Sequence, residues 1–244
     1  MDASAGDVVN VISGAIGWLT TADHWWGNSG ILNRTLEHVQ YSLAAVVVAV
    51  LIALPIAIVL GHARRFGTAA INVGNLGRAV PSFAILLVAQ TIWGLDELPV
   101  AGPITVFVAL VALGIPPILI NAYTGMAEVP DSVREAAAAM GFTPLQQAVR
   151  AELPVALPLI LAGVRTSTVQ IIATATLGAV VGAGGLGRYI IDGLATRDFD
   201  ELMGGALLIA ALAIVVEVGF AALERTAVSP GLRRRTVQVA ATTT

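Results

Sequence analysis

The chain has 244 residues, of which 57% are hydrophobic and 12% charged, with no cysteine and a formal net charge of −3. A soluble domain carries roughly a quarter of its residues as charges, a disulfide scaffold needs thiols, and nucleic-acid binding needs a basic stripe that an acidic balance does not supply. With a mean hydropathy of +0.84, the composition predicts an all-α protein embedded in a lipid membrane.

Residues 1–38 read as an external segment. Its start carries Asp2 and Asp7 and no long apolar run, which is not the pattern of a signal peptide. Val8 to Leu19 is expected to form a short helix on the outer membrane surface, anchored by tryptophans, and all four of them, Trp18, Trp25, Trp26 and Trp93, fall on that side. Val39 to Gly61 is uncharged. At a rise of about 1.5 Å per residue it can cross a hydrocarbon core of about 30 Å. Further spans are expected over 67–95, 100–125, 155–182 and 202–224, about five in all within a membrane domain of 39–225. Gly114, Pro116 and Pro117 are expected to flex the third. Residues 226–244, with Pro230, Gly231 and three arginines, read as a disordered tail.

An odd number of spans puts the termini on opposite sides, and the thirteen arginines, the only strong bases present, orient them. Arg64, Arg65, Arg134, Arg150, Arg225, Arg233, Arg234 and Arg235 fall on one side, which the positive-inside rule makes cytoplasmic. The other side keeps Arg34, Arg188, Arg197 and most of the acids. The amino terminus is then expected outside and the carboxyl terminus inside.

The loop 128–154 has unusually clear punctuation. Ser132 and Glu135 stand in the spacing of a capping box, Ala136 to Ala139 sustain a helix, and Gly141 supplies a left-handed end. Thr143, Pro144 and Gln146 start a second helix, which Leu153 and Pro154 are expected to close. Two helices this short are marginal alone and need a partner surface, since isolated helices below about 12 residues rarely hold in water.

Glu135-Ala136-Ala137, Gly141 and Leu153-Pro154 resemble the EAA loop of the permease subunits of bacterial ATP-binding-cassette importers, with Ala151 where that family has isoleucine. Arg34-Thr35-x-Glu37-His38, Arg78 to Ser82, Leu161 to Thr166 and Gly182 to Gly187 are similar to the osmoprotectant branch, whose cargo is glycine betaine, choline, carnitine or proline. The resemblance covers about residues 31–224. It implies a type I importer fold like that of methionine permeases. It also implies that Asp131 to Phe142 docks on a cytoplasmic ATPase, with Asp131, Ser132, Glu135, Ala136, Ala137, Gly141, Leu153 and Pro154 as coupling residues. Glu135 has a plainer reading beside this one, as the completion of its own capping box. The partners implied are two ATPase subunits, a second permease chain of the same or a homologous kind, and an extracytoplasmic substrate-binding protein. ATP and magnesium belong to the ATPase; no cofactor is expected on this chain.

Inside the membrane an arginine costs about 2.5–3.5 kcal/mol on insertion scales, so Arg78 and Arg165 should face protein or water. Asn75, Arg78 and Ser82 near Pro81 are candidates for a broken helix lining a cavity, and Arg165, Thr166, Thr168, Gln170 and Thr174 for a polar stripe along the translocation path. Serine and threonine also serve as hydrogen-bonding glue between membrane helices, and both readings stay open. Gly182 to Gly187 has no strand before it and no lysine, so a tight re-entrant turn or a bed for an external protein fits better than a phosphate loop. Asp192, Asp198, Asp200 and Glu201 read either as contacts for that protein or as solvated loop charges. The scattered histidines His24, His38 and His62 offer no metal-ligand spacing, and no enzymatic activity is expected of the chain.

Overall fold

The computed structural model describes residues 5–65 and 101–228. The expected second span, with Asn75, Arg78 and Ser82, lies outside them, as does most of the expected tail. Among the described residues there is no strand. Helix α1 covers Ala5–Thr20 and is followed by a 3-10 turn, Ala22–Trp25. The long helices are α2 (Ile31–His62) and α3 (Ala101–Ala127). Two short helices follow, α4 (Asp131–Ala139) and α5 (Pro144–Gln146). A π-helical turn, Gln147–Glu152, leads into α6 (Leu153–Ala175), which ends in a 3-10 turn, Thr176–Val181. Helices α7 (Gly187–Thr196) and α8 (Phe199–Ala227) complete the chain. The stretches Ile31–His62, Ile104–Ala127, Pro144–Val181 and Phe199–Ala227 are each long and apolar enough to cross a membrane.

Helix α3 runs without interruption through Pro116 and Pro117. The expected end of α5 at Pro154 is not found: chain and helix continue into α6. A proline ring clashes with the carbonyl four residues before it. Here the preceding turn is widened, with the Leu153 N–H reaching back five residues to the Ala148 carbonyl, so Pro154 enters without breaking the axis.

The described residues form two compact units. In the first (5–47, 101–113 and 168–215), Ile31, Leu186, Tyr189 and Ile209 make a buried cluster joined by Trp18, Leu19 and Trp25. Trp18 sits so close to α8 that a Cβ on Gly204 would lie 2.5 Å from its ring. Of the four tryptophans expected at the outer membrane surface, Trp93 lies outside the described residues, Trp18 and Trp25 pack against protein, and Trp26 is 71% exposed. In the second unit (48–65, 114–167 and 216–228), Ala49, Ala53 and Ala57 recur every four residues along α2 and are fully buried. They face Ile118, Ala122 and Met126 of α3 and Ala156 and Ile160 of α6. Small side chains at this spacing let helix backbones approach closely where lipid supplies no hydrophobic drive.

Candidate coupling site

Helix α4 begins at Asp131, with Pro130 before it and no side-chain cap. The capping box expected from Ser132 and Glu135 is therefore absent. Ser132 already lies inside the first turn, where its hydroxyl cannot take the capping position; the Val133 and Arg134 N–H groups donate to the Pro130 carbonyl, and Asp131 places an acid in the first turn, which suits the positive end of the helix. Both Ser132 and Glu135 are exposed. The helix ends as expected at Gly141, whose φ of +77° supports bonds from the Gly141 N–H to Ala138 and from the Phe142 N–H to Ala137. The second expected box is present: Thr143 Oγ1 accepts from the Gln146 N–H, and the Gln146 side chain accepts from the Thr143 N–H.

What holds the loop is a set of side chains the sequence reading did not single out. Arg64 closes α2 in the left-handed region, with φ +49°, a conformation that costs a non-glycine residue about 1–2 kcal/mol. From there its guanidinium donates to the Ala127 carbonyl (3.1 Å), the Val129 carbonyl (2.8 Å) and the Asp131 carboxylate (2.6 Å). One fork thus fixes the end of α3, the connecting turn and the start of α4.

Beneath α4 lies Glu152, from the π-helical turn, with its side chain 0% exposed. Its carboxylate accepts from His62 Nδ1, 3.0 Å from each oxygen, and from Gln147 Nε2 at 3.2 Å. Arg134 Nη2 lies 3.2 Å away and also donates to the Met126 carbonyl at 2.8 Å, while Nη1 donates to the His62 carbonyl at 3.1 Å. A buried charge is tolerable only when paired and hydrogen-bonded. Here the pairing joins the end of α2, the end of α3, α4 and the start of α6. The same loop leaves large apolar side chains exposed beside its polar ones, with Met140 at 67%, Leu145 at 74% and Val149 at 50%. Ala137 is buried beneath α4 and Ala136 is exposed on it.

The candidate stripe on α6 divides into different environments. Arg165 pairs with Glu217 of α8, both partly exposed. Thr166 bonds back to Ala162 in its own helix, and buried Ser167 donates to the Gly114 carbonyl at 2.9 Å. Thr166, Gln170 and Thr174 lie on one side of the helix by their spacing of four, and Thr168, Gln170 and Thr174 are partly buried. In the first unit the glycine-rich segment forms a tight loop, with φ of +83° at both Gly182 and Gly185. Glu37 accepts from the Gly185 N–H at 2.9 Å and pairs with Arg34 at the same distance, and buried His38 donates through Nε2 to the Ile172 carbonyl at 3.0 Å. Tyr189, on α7, donates to the Ser29 carbonyl at 2.7 Å, and burial pushes its hydroxyl up to about 12.

Residues 49–234 match the family described as binding-protein-dependent transport system inner membrane component. The chain is 37% identical to the choline transport system permease protein OpuBB of Bacillus subtilis (strain 168), over 84% of this chain and 91% of that one. It is 36% identical to the carnitine transport permease protein OpuCB of Listeria monocytogenes, over 80% and 86%. The osmoprotectant import permease protein OsmW of Salmonella typhimurium is 30% identical over 82% and 93%. In fold the chain resembles the inward-facing methionine ABC transporter MetNI, with a TM-score of 0.69 at 21% identity over 82% of this chain and 96% of that one. The chain belongs to the binding-protein-dependent transport system inner membrane components, as a non-catalytic, membrane-embedded permease subunit of an ABC importer.

Proposed function

We propose that this chain forms half of the pathway by which an ATP-driven importer takes up a compatible solute such as glycine betaine, choline, carnitine or proline. The observation that carries the reading is the 128–154 loop: its base is pinned by Arg64, Arg134 and Glu152, and it leaves Glu135, Met140 and Leu145 exposed. A rigid base with exposed apolar side chains suits a surface that receives force from a docked partner. In this reading two ATPase subunits dock there and supply ATP and magnesium chemistry, a second permease chain completes the pathway, and a substrate-binding protein meets the opposite side. The loop is then cytoplasmic, the amino terminus external and the carboxyl terminus internal. Support comes from the names of relatives at 30–37% identity.

The test is uptake of labelled glycine betaine, choline, carnitine, proline and methionine into proteoliposomes, with and without the partner ATPase. Uptake of one or more of the first four that requires the ATPase is expected; transport of methionine alone, or transport that survives without the ATPase, contradicts the reading. Glu135→Ala and Gly141→Asp should reach the membrane yet lose the ATPase on co-purification.

A further inference from the structure

We propose that the permease chain itself carries a solute-selective site, a cavity of about 830 Å³ in the first unit that takes a small zwitterion by its carboxylate and its methylated ammonium. This rests on the cargo class proposed above and adds a second point of selection within it. The volume lies in the range of roughly 300–1,000 Å³ usual for small-molecule sites. The walls come from α2, α3, the glycine-rich loop and α7, and the chemistry is of two kinds.

Arg34, Glu37 and Arg188 supply the charge of the lining, and Tyr41 and Ala44, one and two turns beyond Glu37 on α2, supply the apolar wall with Phe107 of α3. The charged part has donors to spare and acceptors already taken. Glu37 receives Arg34 Nη1, Asn33 Nδ2 and the Gly185 N–H, so its carboxylate is committed to the protein. Arg34 gives Nη1 to Glu37 and keeps its side chain 22% exposed, so the remaining Nη hydrogens stay available. Arg188 gives Nη2 to Asp192 four residues on, in a pair whose side chains are 34% and 42% exposed, which is a weak bond. A guanidinium has five N–H donors, so both arginines can still hold a ligand carboxylate. Aromatic faces attract a methylated ammonium through the ring quadrupole. With no lining carboxylate left over, a bare organic cation finds only half of its counterpart here, and a betaine finds both.

The expected behaviour is discrimination by the permease between glycine betaine and choline, apart from the binding protein's affinity. Two measurements on the assembled transporter test it. The chain has no natural cysteine. Gln40→Cys, at an exposed position on the cavity wall, therefore gives this chain one thiol for maleimide labelling. Glycine betaine at millimolar concentration should slow that labelling at least threefold and choline should not. Second, with the binding protein saturated by either solute, Arg188→Gln should lower maximal betaine uptake at least fivefold and choline uptake less than twofold, and Arg188→Lys should recover part of the betaine rate. Unprotected labelling in a transporter that imports betaine overturns the site, as do equal losses for both solutes. If the wild-type transporter imports none of these solutes, it is the cargo reading that fails.

Discussion

Arg134 Nη2 lies 3.2 Å from a Glu152 carboxylate oxygen, and the Glu152 side chain is fully buried while Arg134 is 14% exposed. One residue belongs to the exposed helix α4 of the 128–154 loop and the other to the turn that opens α6. Breaking a buried pair from one side leaves an uncompensated charge and costs about 3–5 kcal/mol, while replacing both partners by apolar residues is often close to neutral. Glu152→Ala should therefore lower the thermal midpoint of the purified complex more than the double variant Arg134→Met, Glu152→Leu. The double variant should still lose solute uptake, because stability is recovered without the linkage. If Arg134→Met and Glu152→Leu made singly have effects that simply add in the double variant, the pairing is contradicted.

Arg64 separates conformational strain from side-chain contact. Arg64→Ala removes three hydrogen bonds and keeps a left-handed alanine; Arg64→Gly removes the same bonds and relieves the backbone. The glycine variant should be the more stable of the two by about 1 kcal/mol, read as a difference in thermal midpoints. Equal midpoints would show that the φ of +49° is not retained.

In the glycine-rich loop the two tightest positions differ in what surrounds them. A Cβ at Gly187 would lie 2.2 Å from the Thr176 carbonyl oxygen, which is backbone; at Gly184 it would lie 2.3 Å from Glu37 Oε2, a side-chain atom that can shift at the expense of its hydrogen bonds. Gly187→Ala should cost about 1–3 kcal/mol as overpacking against a fixed group, and Gly184→Ala clearly less. Thermal unfolding of the two variants in parallel decides it, and the reverse order would contradict the loop geometry.

Arg165 and Glu217 make an ion pair between α6 and α8. Arg165→Met alone leaves a carboxylate within an apolar helix, and Glu217→Met alone leaves a guanidinium, each costly to insert. Both single variants should accumulate in the membrane at roughly half the wild-type level or below, and the double variant should recover, since an ionisable residue there is tolerated only when paired. Quantitative blots of membrane fractions give the answer; no recovery in the double variant would contradict the pairing.

Which features the sequence made legible follows the distance over which their causes act. Apolar runs announce the long helices, and the end at Gly141 and the Thr143–Gln146 box depend on neighbours within a turn. The roles of Glu152 and Arg64 were not legible, because His62 is 90 residues from Glu152 and Asp131 is 67 from Arg64. Pro154 is a stop under a local rule that is sound for an α-helix, and the π-helical turn that evades it has no local signature. Arg165 stood out as a cost, but its partner is 52 residues away on another helix. Glu37 and His38, visible only as part of a resemblance, turn out to hold the glycine-rich loop and α6.

The central claim is that the 128–154 loop transmits ATPase motion to the membrane helices. Since the chain has no natural cysteine, single cysteines at Met140 and Leu145, both exposed on the loop, can be cross-linked in the assembled transporter, with Ile12→Cys on α1 as the control. The account predicts cross-links from residues 140 and 145 to the ATPase subunit, none from residue 12, and loss of uptake once the loop is cross-linked. Cross-linked loops that leave uptake intact, or an ATPase captured from residue 12 and not from the loop, would contradict it.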